Sequence, residues 1–345
     1  MGGPTPGDGP GLGRRAHGSG KSPRGRAGWP EGWRPPVTRG PGIPPGPLGL
    51  GLDAGGTETR WALAGAGGDI VAEGRAEGFS ATELGGPGAE RITALLGELG
   101  REVRRAGQPS QVHAGITGLG EGEGVLVEVL AGAMGLPPGA VSLGSDIETA
   151  FRHLFEPGQG YMVYAGTGSV AAFLDGEGTL HRAGGRGNLL DDGGGGFWIA
   201  REALRRIWRT EDERPGAWRE SPLAAELFAM IGGSDWSHSR RAVYGGRRGD
   251  VGRLALAVAR AAEADPAARE ILAAAGEELA RLARALIARY GPRPVALSGR
   301  AATLHPGIAE AMARGLPPGP PFSVRPCQPH HAAARMALRR ALACP

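Results

Sequence analysis

LGLGLDAGGTETRWALAGA, residues 48–66, is the most informative segment of the chain. Two apolar runs flank Gly55 and Gly56, and short apolar runs joined by a glycine turn are typical of a β-hairpin. Glycine lets a phosphate come close to the backbone, whose amide groups can bind it. The segment therefore predicts a phosphate-binding hairpin in which Thr57 donates its hydroxyl to phosphate and Asp53 holds hydrated Mg²⁺. Taken alone, it also fits an ordinary glycine-rich hairpin.

A second glycine turn, AGTGS at 165–169, again lies between two apolar runs. Two such hairpins facing each other would hold a triphosphate from both sides. Between them, Asp146 follows a predicted strand at 140–145 and precedes a predicted helix at 147–155. An aspartate at such a junction is either a helix N-cap or a general base that takes a proton from an attacking hydroxyl. The flanking glycine turns favour the general base.

A glycine-rich stretch at 184–198, GGRGNLLDDGGGGFW, leads into a predicted helix. Its adjacent carboxylates, Asp191 and Asp192, are suited to bind the hydroxyl groups of a sugar. A solvated loop whose acids complement the helix dipole is the alternative.

Strands and helices alternate along the chain from residue 48, and each half opens with a strand pair around a glycine turn. This pattern predicts a duplicated α/β fold in which helices cover mainly buried sheets. We place the N-terminal lobe at 48–155 and the C-terminal lobe at 156–345.

Residues 1–47 hold 14 Gly and 11 Pro without periodicity, which predicts a disordered tail. A translation start placed too early is the alternative for this segment. The tail carries a net charge of +5, whereas the whole chain carries +4, so the body offers no electrostatic basis for binding nucleic acid. The absence of an apolar run of membrane-spanning length predicts a soluble, cytoplasmic protein.

The two cysteines, Cys327 and Cys344, are too few for a disulfide framework, a zinc site or an iron–sulfur ligand set. The pair His330-His331 shows no third metal ligand nearby in the sequence, and we interpret it as the start of a helix.

The motifs DAGGT, SD, YAGTGS and GGRGNLLDDGGGGFWIA, in this order, resemble the BadF/BadG/BcrA/BcrD ATPase family, and within it the N-acetylglucosamine kinase branch. The resemblance covers about 48–343. It implies the duplicated ribonuclease-H-like, actin-like ATPase fold that sugar kinases, Hsp70 and actin share, with two lobes and a central nucleotide cleft.

The resemblance also implies the residues of the site. Those at the nucleotide are Asp53, Gly55, Gly56, Thr57, Gly166, Thr167, Gly168, Ser298, Gly299 and Arg300. Those at the sugar are Thr82, Ser169, Val170, Gly185, Arg186, Gly187 and Asp192. Asp146 matches the catalytic base, and Asp53 is the implied metal ligand.

The chain departs from the family pattern at three places. Thr82 stands where the family has a sugar-contacting asparagine, and Asp191-Asp192-Gly193-Gly194 replaces G-D-E-G. Arg300 stands where the adenosine loop has its second glycine. The first two departures bear on the choice of sugar, and the third bears on nucleotide affinity.

These features predict a kinase that uses ATP and Mg²⁺ to phosphorylate a sugar or amino sugar resembling N-acetylglucosamine or glucosamine. The expected partner is this small molecule, with no nucleic acid and no membrane; a homodimer is left open. One alternative is an ATPase that activates a partner enzyme, but such activators hold an iron–sulfur cluster through cysteines, and both cysteines here lie in the last 19 residues. Another is a non-catalytic sugar or nucleotide sensor. A glucokinase with structural zinc is disfavoured because its cysteine-rich motif is absent.

Overall fold

The computed structural model describes residues 2, 38–39, 46–56, 58–83, 88–120 and 123–343, with the backbone alone at 38–39. Most of the predicted tail and Thr57 therefore lie outside the described residues. Every element below belongs to the compact unit Pro36–Pro345. Within the segment predicted as the tail, residues 38–39 form a short strand.

The first sheet has six strands in the order β1-β4-β3-β2-β5-β6. They are β1 (Thr38–Arg39), β2 (Gly49–Ala54), β3 (Glu58–Ala64), β4 (Ile70–Glu77), β5 (Gln111–Ile116) and β6 (Val141–Ser145). Strands β2, β3 and β4 form an antiparallel meander, whereas β5 pairs parallel with β2 and with β6.

The second sheet has five strands in the order β11-β10-β7-β8-β9. They are β7 (Tyr161–Ala165), β8 (Ser169–Leu174), β9 (Leu180–Gly184), β10 (Val295–Ser298) and β11 (Phe322–Val324). Again three antiparallel strands are followed by two parallel ones on the side of the first strand. The repeat of one topology confirms the predicted duplicated α/β fold.

Eleven α-helices occur in the described residues. They are α1 (Ala89–Ala106), α2 (Glu123–Met134), α3 (Asp146–Leu154), α4 (Gly196–Glu213), α5 (Pro222–Ile231), α6 (Trp236–Gly245), α7 (Arg248–Arg253), α8 (Ala255–Ala261), α9 (Pro266–Tyr290), α10 (Pro306–Gly315) and α11 (Pro329–Ala343). The sequence predicted one helix at 250–263, but two helices, α7 and α8, meet at Leu254. Helix α6 was not predicted. None of the helices in the described ranges is both long and apolar enough to cross a membrane.

Helix α11 packs on the first sheet, although its position in the chain placed it in the C-terminal lobe. Gly49 and Gly51 on β2 explain the contact, because a Cβ at either position would overlap the α11 backbone. Removing two side chains from one strand face opens a groove for the helix. The predicted boundary near residue 155 falls between α3 and β7, and the division into lobes stays a prediction.

Helix α3 contacts both sheets. It packs against β5 and β6 of the first sheet and against β8 of the second. Phe151 and Leu154 lie in a cluster with Met162 and Leu174, which come from the second sheet. Helix α3 is therefore held in place from both sides.

Candidate active site

Asp146 is the first residue of α3, directly after β6. Its Oδ2 accepts a hydrogen bond of 2.6 Å from Thr117 Oγ1, and its Oδ1 accepts one of 2.9 Å from the Ile147 amide. Thr117 follows β5, so the carboxylate lies at the carboxyl ends of two neighbouring parallel strands. In open α/β sheets, this edge is where ligands bind.

The N-cap of α3 is Ser145, not Asp146. The Ser145 hydroxyl accepts a hydrogen bond from the Glu148 amide, which is the usual capping interaction. Thr149, one turn into the helix, packs against Gly115 of β5, where a Cβ would lie 2.6 Å from Thr149 Oγ1. Capping of the helix is therefore done by Ser145, and the Asp146 carboxylate, oriented by Thr117 and the Ile147 amide, is available for chemistry.

Asp53 lies near the end of β2, between Gly115 of β5 and Arg60 of β3. Burial raises the pKa of its carboxyl group to about 6, the Arg60 charge lowers it, and the nearby Asp146 carboxylate raises it further. Among the described residues, none donates a hydrogen bond to this carboxylate. A desolvated carboxylate beside a second one fits a cation, because a bound cation would offset both charges.

Arg60 was missed by the sequence interpretation, although it faces Asp53 across the hairpin. Its guanidinium forms a 2.9 Å ion pair with Glu58, and Glu58 also pairs with Arg75. The only signal in the sequence was the two-residue alternation of β3, which does not distinguish a site residue from a surface charge.

Asp53→Asn is expected to stabilise the unliganded protein. The folded pKa of about 6 lies above the ordinary value of 3.8, so folding favours the protonated carboxyl group. The ionised group therefore costs free energy, fully above about pH 6 and not below about pH 4. The variant should gain about 1–3 kcal/mol of unfolding free energy at pH 8 and nothing at pH 4.

Denaturant unfolding at the two pH values measures this difference. Asp69→Asn is the matched control, because Asp69 is an exposed aspartate of the same sheet's β3–β4 turn. Equal stability of wild type and Asp53→Asn at pH 8 would contradict the desolvation of Asp53.

The second glycine turn is joined to the start of α4. Gly166 and Thr167 accept backbone hydrogen bonds of 2.8 and 2.9 Å from Gly196 and Phe197, the first residues of that helix. A Cβ at Gly195 would lie only 2.6 Å from the Gly168 carbonyl carbon. The turn and the positive end of the α4 dipole therefore lie side by side, an arrangement that favours an anion.

Asp192 and Arg248 form an ion pair over this turn. The Asp192 side chain is 3% exposed, and both partners lie where a Cβ of Gly168 would be. Asp192 has φ 60°, a left-handed backbone conformation that is uncommon for a residue other than glycine. Such conformations cluster at functional sites. Arg248 was missed because it lies on α7, far from Asp192 in the sequence.

The predicted sugar-loop residues divide into two groups. Ser169 Oγ donates a 2.6 Å hydrogen bond to the Gly193 carbonyl, and Gly185, with φ +67°, lies against the Val170 side chain. These residues hold the start of the loop on β8. Arg186 and Gly187 lie farther along, and Arg186 is exposed.

Thr82 lies next to the partner of Asp146. Its hydroxyl forms a 2.9 Å hydrogen bond with Ser80 Oγ, which donates to the Thr117 carbonyl. Gly118, with φ +73°, lies beneath both side chains. The structure thus brings Thr82 to the turn that carries Thr117, beside the proposed base.

The predicted adenosine loop follows β10. Ser298 Oγ donates to the Arg325 carbonyl at 2.6 Å, so this hydroxyl serves the fold. Gly299 has φ +98° and lies directly on Ala165, where a Cβ would overlap the backbone. Arg300 is exposed, and its positive charge lowers the pKa of Asp53.

Residues of the two sheets face each other at the site. Burial raises the pKa of Tyr164 on β7 to about 12, and the charge of Asp53 on β2 contributes to the increase. The positive charge of Arg300, which follows β10 of the second sheet, lowers the pKa of Asp53. The charge of Asp53 on the first sheet therefore acts on Tyr164 of the second sheet, whereas Thr57 lies outside the described residues.

Comparisons with known proteins agree with this architecture. The model of the BadF/BadG/BcrA/BcrD ATPase family matches residues 50–314. A protein of Chromobacterium violaceum assigned as an N-acetylglucosamine kinase is 27% identical, with 84% of this chain and 98% of that chain covered and a TM-score of 0.66. A search of the curated proteins gives no match.

Two further solved structures share the fold at lower identity. One, from Porphyromonas gingivalis and also assigned as an N-acetylglucosamine kinase, is 16% identical over 84% of this chain and 98% of that chain, with a TM-score of 0.64. The other is a ROK family glucokinase from Streptomyces griseus in complex with glucose and AMPPNP. It is 18% identical over 85% of this chain and 99% of that chain, with a TM-score of 0.55.

Proposed function

The chain belongs to the BadF/BadG/BcrA/BcrD ATPase family, and we propose that it is an ATP-dependent kinase that phosphorylates a hydroxyl group of a sugar or amino sugar. The observation that carries the proposal is the pair of neighbouring carboxylates, Asp53 near the end of β2 and Asp146 directly after β6. One carboxylate is free for a cation, and the other is oriented by hydrogen bonds.

Asp146 is the general base of the proposed reaction. Thr117 and the Ile147 amide orient its carboxylate from one side, which keeps the other lone pairs available. The carboxylate accepts the proton of the sugar hydroxyl as the hydroxyl oxygen attacks the terminal phosphorus of ATP. The bond between that phosphorus and the bridging oxygen breaks, and ADP leaves with this oxygen.

The phosphates of ATP are assigned to Gly55, Gly56 and Thr57 on one side and to Gly166, Thr167 and Gly168 on the other. Support comes from the start of α4, which presents its positive end beside the second turn. Asp53 would hold Mg²⁺, which supplies charge neutralisation at the transferring phosphate. Arg300, whose charge acts on Asp53, would add positive charge to the nucleotide side.

The sugar is assigned to seven residues: Thr82, Ser169, Val170, Gly185, Arg186, Gly187 and Asp192. The link from Thr82 through Ser80 to Thr117 supports the assignment of Thr82, because it connects this residue with the partner of the proposed base. N-acetylglucosamine is one candidate substrate, because the Chromobacterium protein is named as an N-acetylglucosamine kinase. Thr82 in place of the family's asparagine makes a related amino sugar an equal candidate.

A coupled ADP-release assay over plain hexoses, amino sugars and N-acetylated amino sugars tests the proposal. We expect ADP release that depends on one of these classes and on Mg²⁺. Release independent of sugar would favour an ATPase that activates a partner. Stabilisation by a sugar or nucleotide without any ADP release would favour a non-catalytic sensor.

A further inference from the structure

A cluster of three side chains outside the active site joins the first turn of α11 to β4. His330 and His331 belong to the helix, and Glu73 lies on the strand. Glu73 Oε2 is 2.6 Å from His331 Nε2 and 3.5 Å from His330 Nε2. The ligand atoms of the three residues lie within 4.8 Å of one another. Three metal-binding groups from distant parts of the chain thus converge on one small volume.

The protein's own hydrogen bonds do not account for His330. The residue is 6% exposed, and its Nδ1 is buried without a partner among the described residues. Its Nε2 is 3.5 Å from Glu73, longer than a normal N–H···O hydrogen bond. Nε2 is the ring nitrogen that faces Glu73, and it lies there without a hydrogen bond of normal length, so an ion bound to both atoms would complete this buried contact.

An ion pair with Glu73 does not explain the orientation of His330 either. The 3.5 Å between His330 Nε2 and Glu73 Oε2 is too long for a close ion pair, but it matches the separation of two ligand atoms on one metal ion. The Glu73–His331 hydrogen bond explains those two residues, but it gives no reason for a second imidazole to point at the same oxygen.

We propose that Glu73, His330 and His331 bind one divalent transition-metal ion of the zinc class. Two imidazole nitrogens and one carboxylate oxygen, with water in the fourth position, form an established tetrahedral ligand set for Zn²⁺. Zn–N and Zn–O bonds of about 2.0–2.1 Å place tetrahedral ligand atoms about 3.4 Å apart. The His330–Glu73 distance of 3.5 Å already has this spacing, and the His331–Glu73 distance opens by less than about 1 Å.

The site leaves room for the fourth ligand. The Glu73 side chain is 40% exposed, so water can reach the ion from the β4 side. The ion would fix the first turn of α11 to the first sheet, on which the rest of the helix packs through Gly49 and Gly51. The proposed role is structural, and it does not depend on the kinase proposal.

The test uses the full-length, tag-free protein without nucleotide. Bound metal is removed with a chelator, and the protein is then equilibrated with Zn²⁺ alone. Elemental mass spectrometry measures the Zn²⁺ bound per chain. We expect about one ion per chain, and visible absorption typical of a tetrahedral site when Co²⁺ replaces Zn²⁺. Glu73→Gln and His331→Gln should each weaken Zn²⁺ binding by at least about tenfold.

His238→Gln is the matched control. His238 Nδ1 also lies 2.8 Å from a carboxylate oxygen, that of Asp235, but no third ligand joins this pair among the described residues. The control should keep its Zn²⁺. Added Zn²⁺ should also raise the unfolding temperature of wild type and of His238→Gln, and at the same Zn²⁺ concentration it should raise that of His331→Gln by less.

Absence of bound Zn²⁺ and of the Co²⁺ absorption in wild type would overturn the proposal. Equal Zn²⁺ retention by the double variant Glu73→Gln/His331→Gln would also overturn it. The variants avoid His330, whose burial makes it the position most liable to disturb folding. The wild-type Co²⁺ spectrum decides the question should a variant fail to fold.

Discussion

Asp146→Asn is expected to lower kcat for sugar phosphorylation by a factor of about 10² or more, while ATP affinity stays close to that of wild type. Asparagine has the size of aspartate, and its amide oxygen can accept the hydrogen bond of Thr117 or Ile147. It cannot take up the proton of the attacking hydroxyl. Steady-state ADP release at saturating sugar gives kcat, and calorimetric titration with ATP gives the affinity.

Asp235→Asn is the control for an aspartate at the start of a helix. Asp235 caps α6 through the His238 amide and is exposed, and an asparagine there still caps. Its kcat should equal that of wild type. Turnover of Asp146→Asn within about twofold of wild type would remove Asp146 as the general base.

Gly195→Ala is expected to raise the KM for ATP by about tenfold or more and to reduce kcat as well. Gly195 has φ −77° and ψ 163°, which alanine adopts without strain, so the effect comes from space alone. The new Cβ would lie 2.6 Å from the Gly168 carbonyl carbon and 2.7 Å from its Cα, so the helix start or the glycine turn must move. A displacement of about 1 Å is enough to lose most of the benefit of positioning.

Gly176→Ala provides the matched control, because Gly176 lies in the β8–β9 turn with no atom within 4 Å of the added Cβ. Circular dichroism confirms that both variants fold, and calorimetry measures ATP binding. A folded Gly195→Ala protein with unchanged ATP affinity and kcat would show that the turn at 166–168 does not hold the nucleotide.

Much of the fold follows from short-range patterns. Apolar runs, glycine turns and the period of apolar residues depend on neighbours within about ten positions, and they were sufficient for both hairpins and most of the helices. Helix α6 was missed because Ser239 is its one buried residue, and the break at Leu254 was missed because α7 is only six residues long. The same patterns proposed Asp53 and Asp146, since each lies at the end of a recognisable strand.

The partners of these residues required long-range packing. Thr117 meets Asp146, and Arg248 meets Asp192, because strand pairing and helix docking bring separate segments together. The histidine pair at 330–331 shows the same limit. The residues were visible as two adjacent ligands, but Glu73 joins them only because α11 crosses back onto the first sheet. Spacing along a chain encodes local conformation, whereas the contacts that build a site depend on which surfaces are buried together.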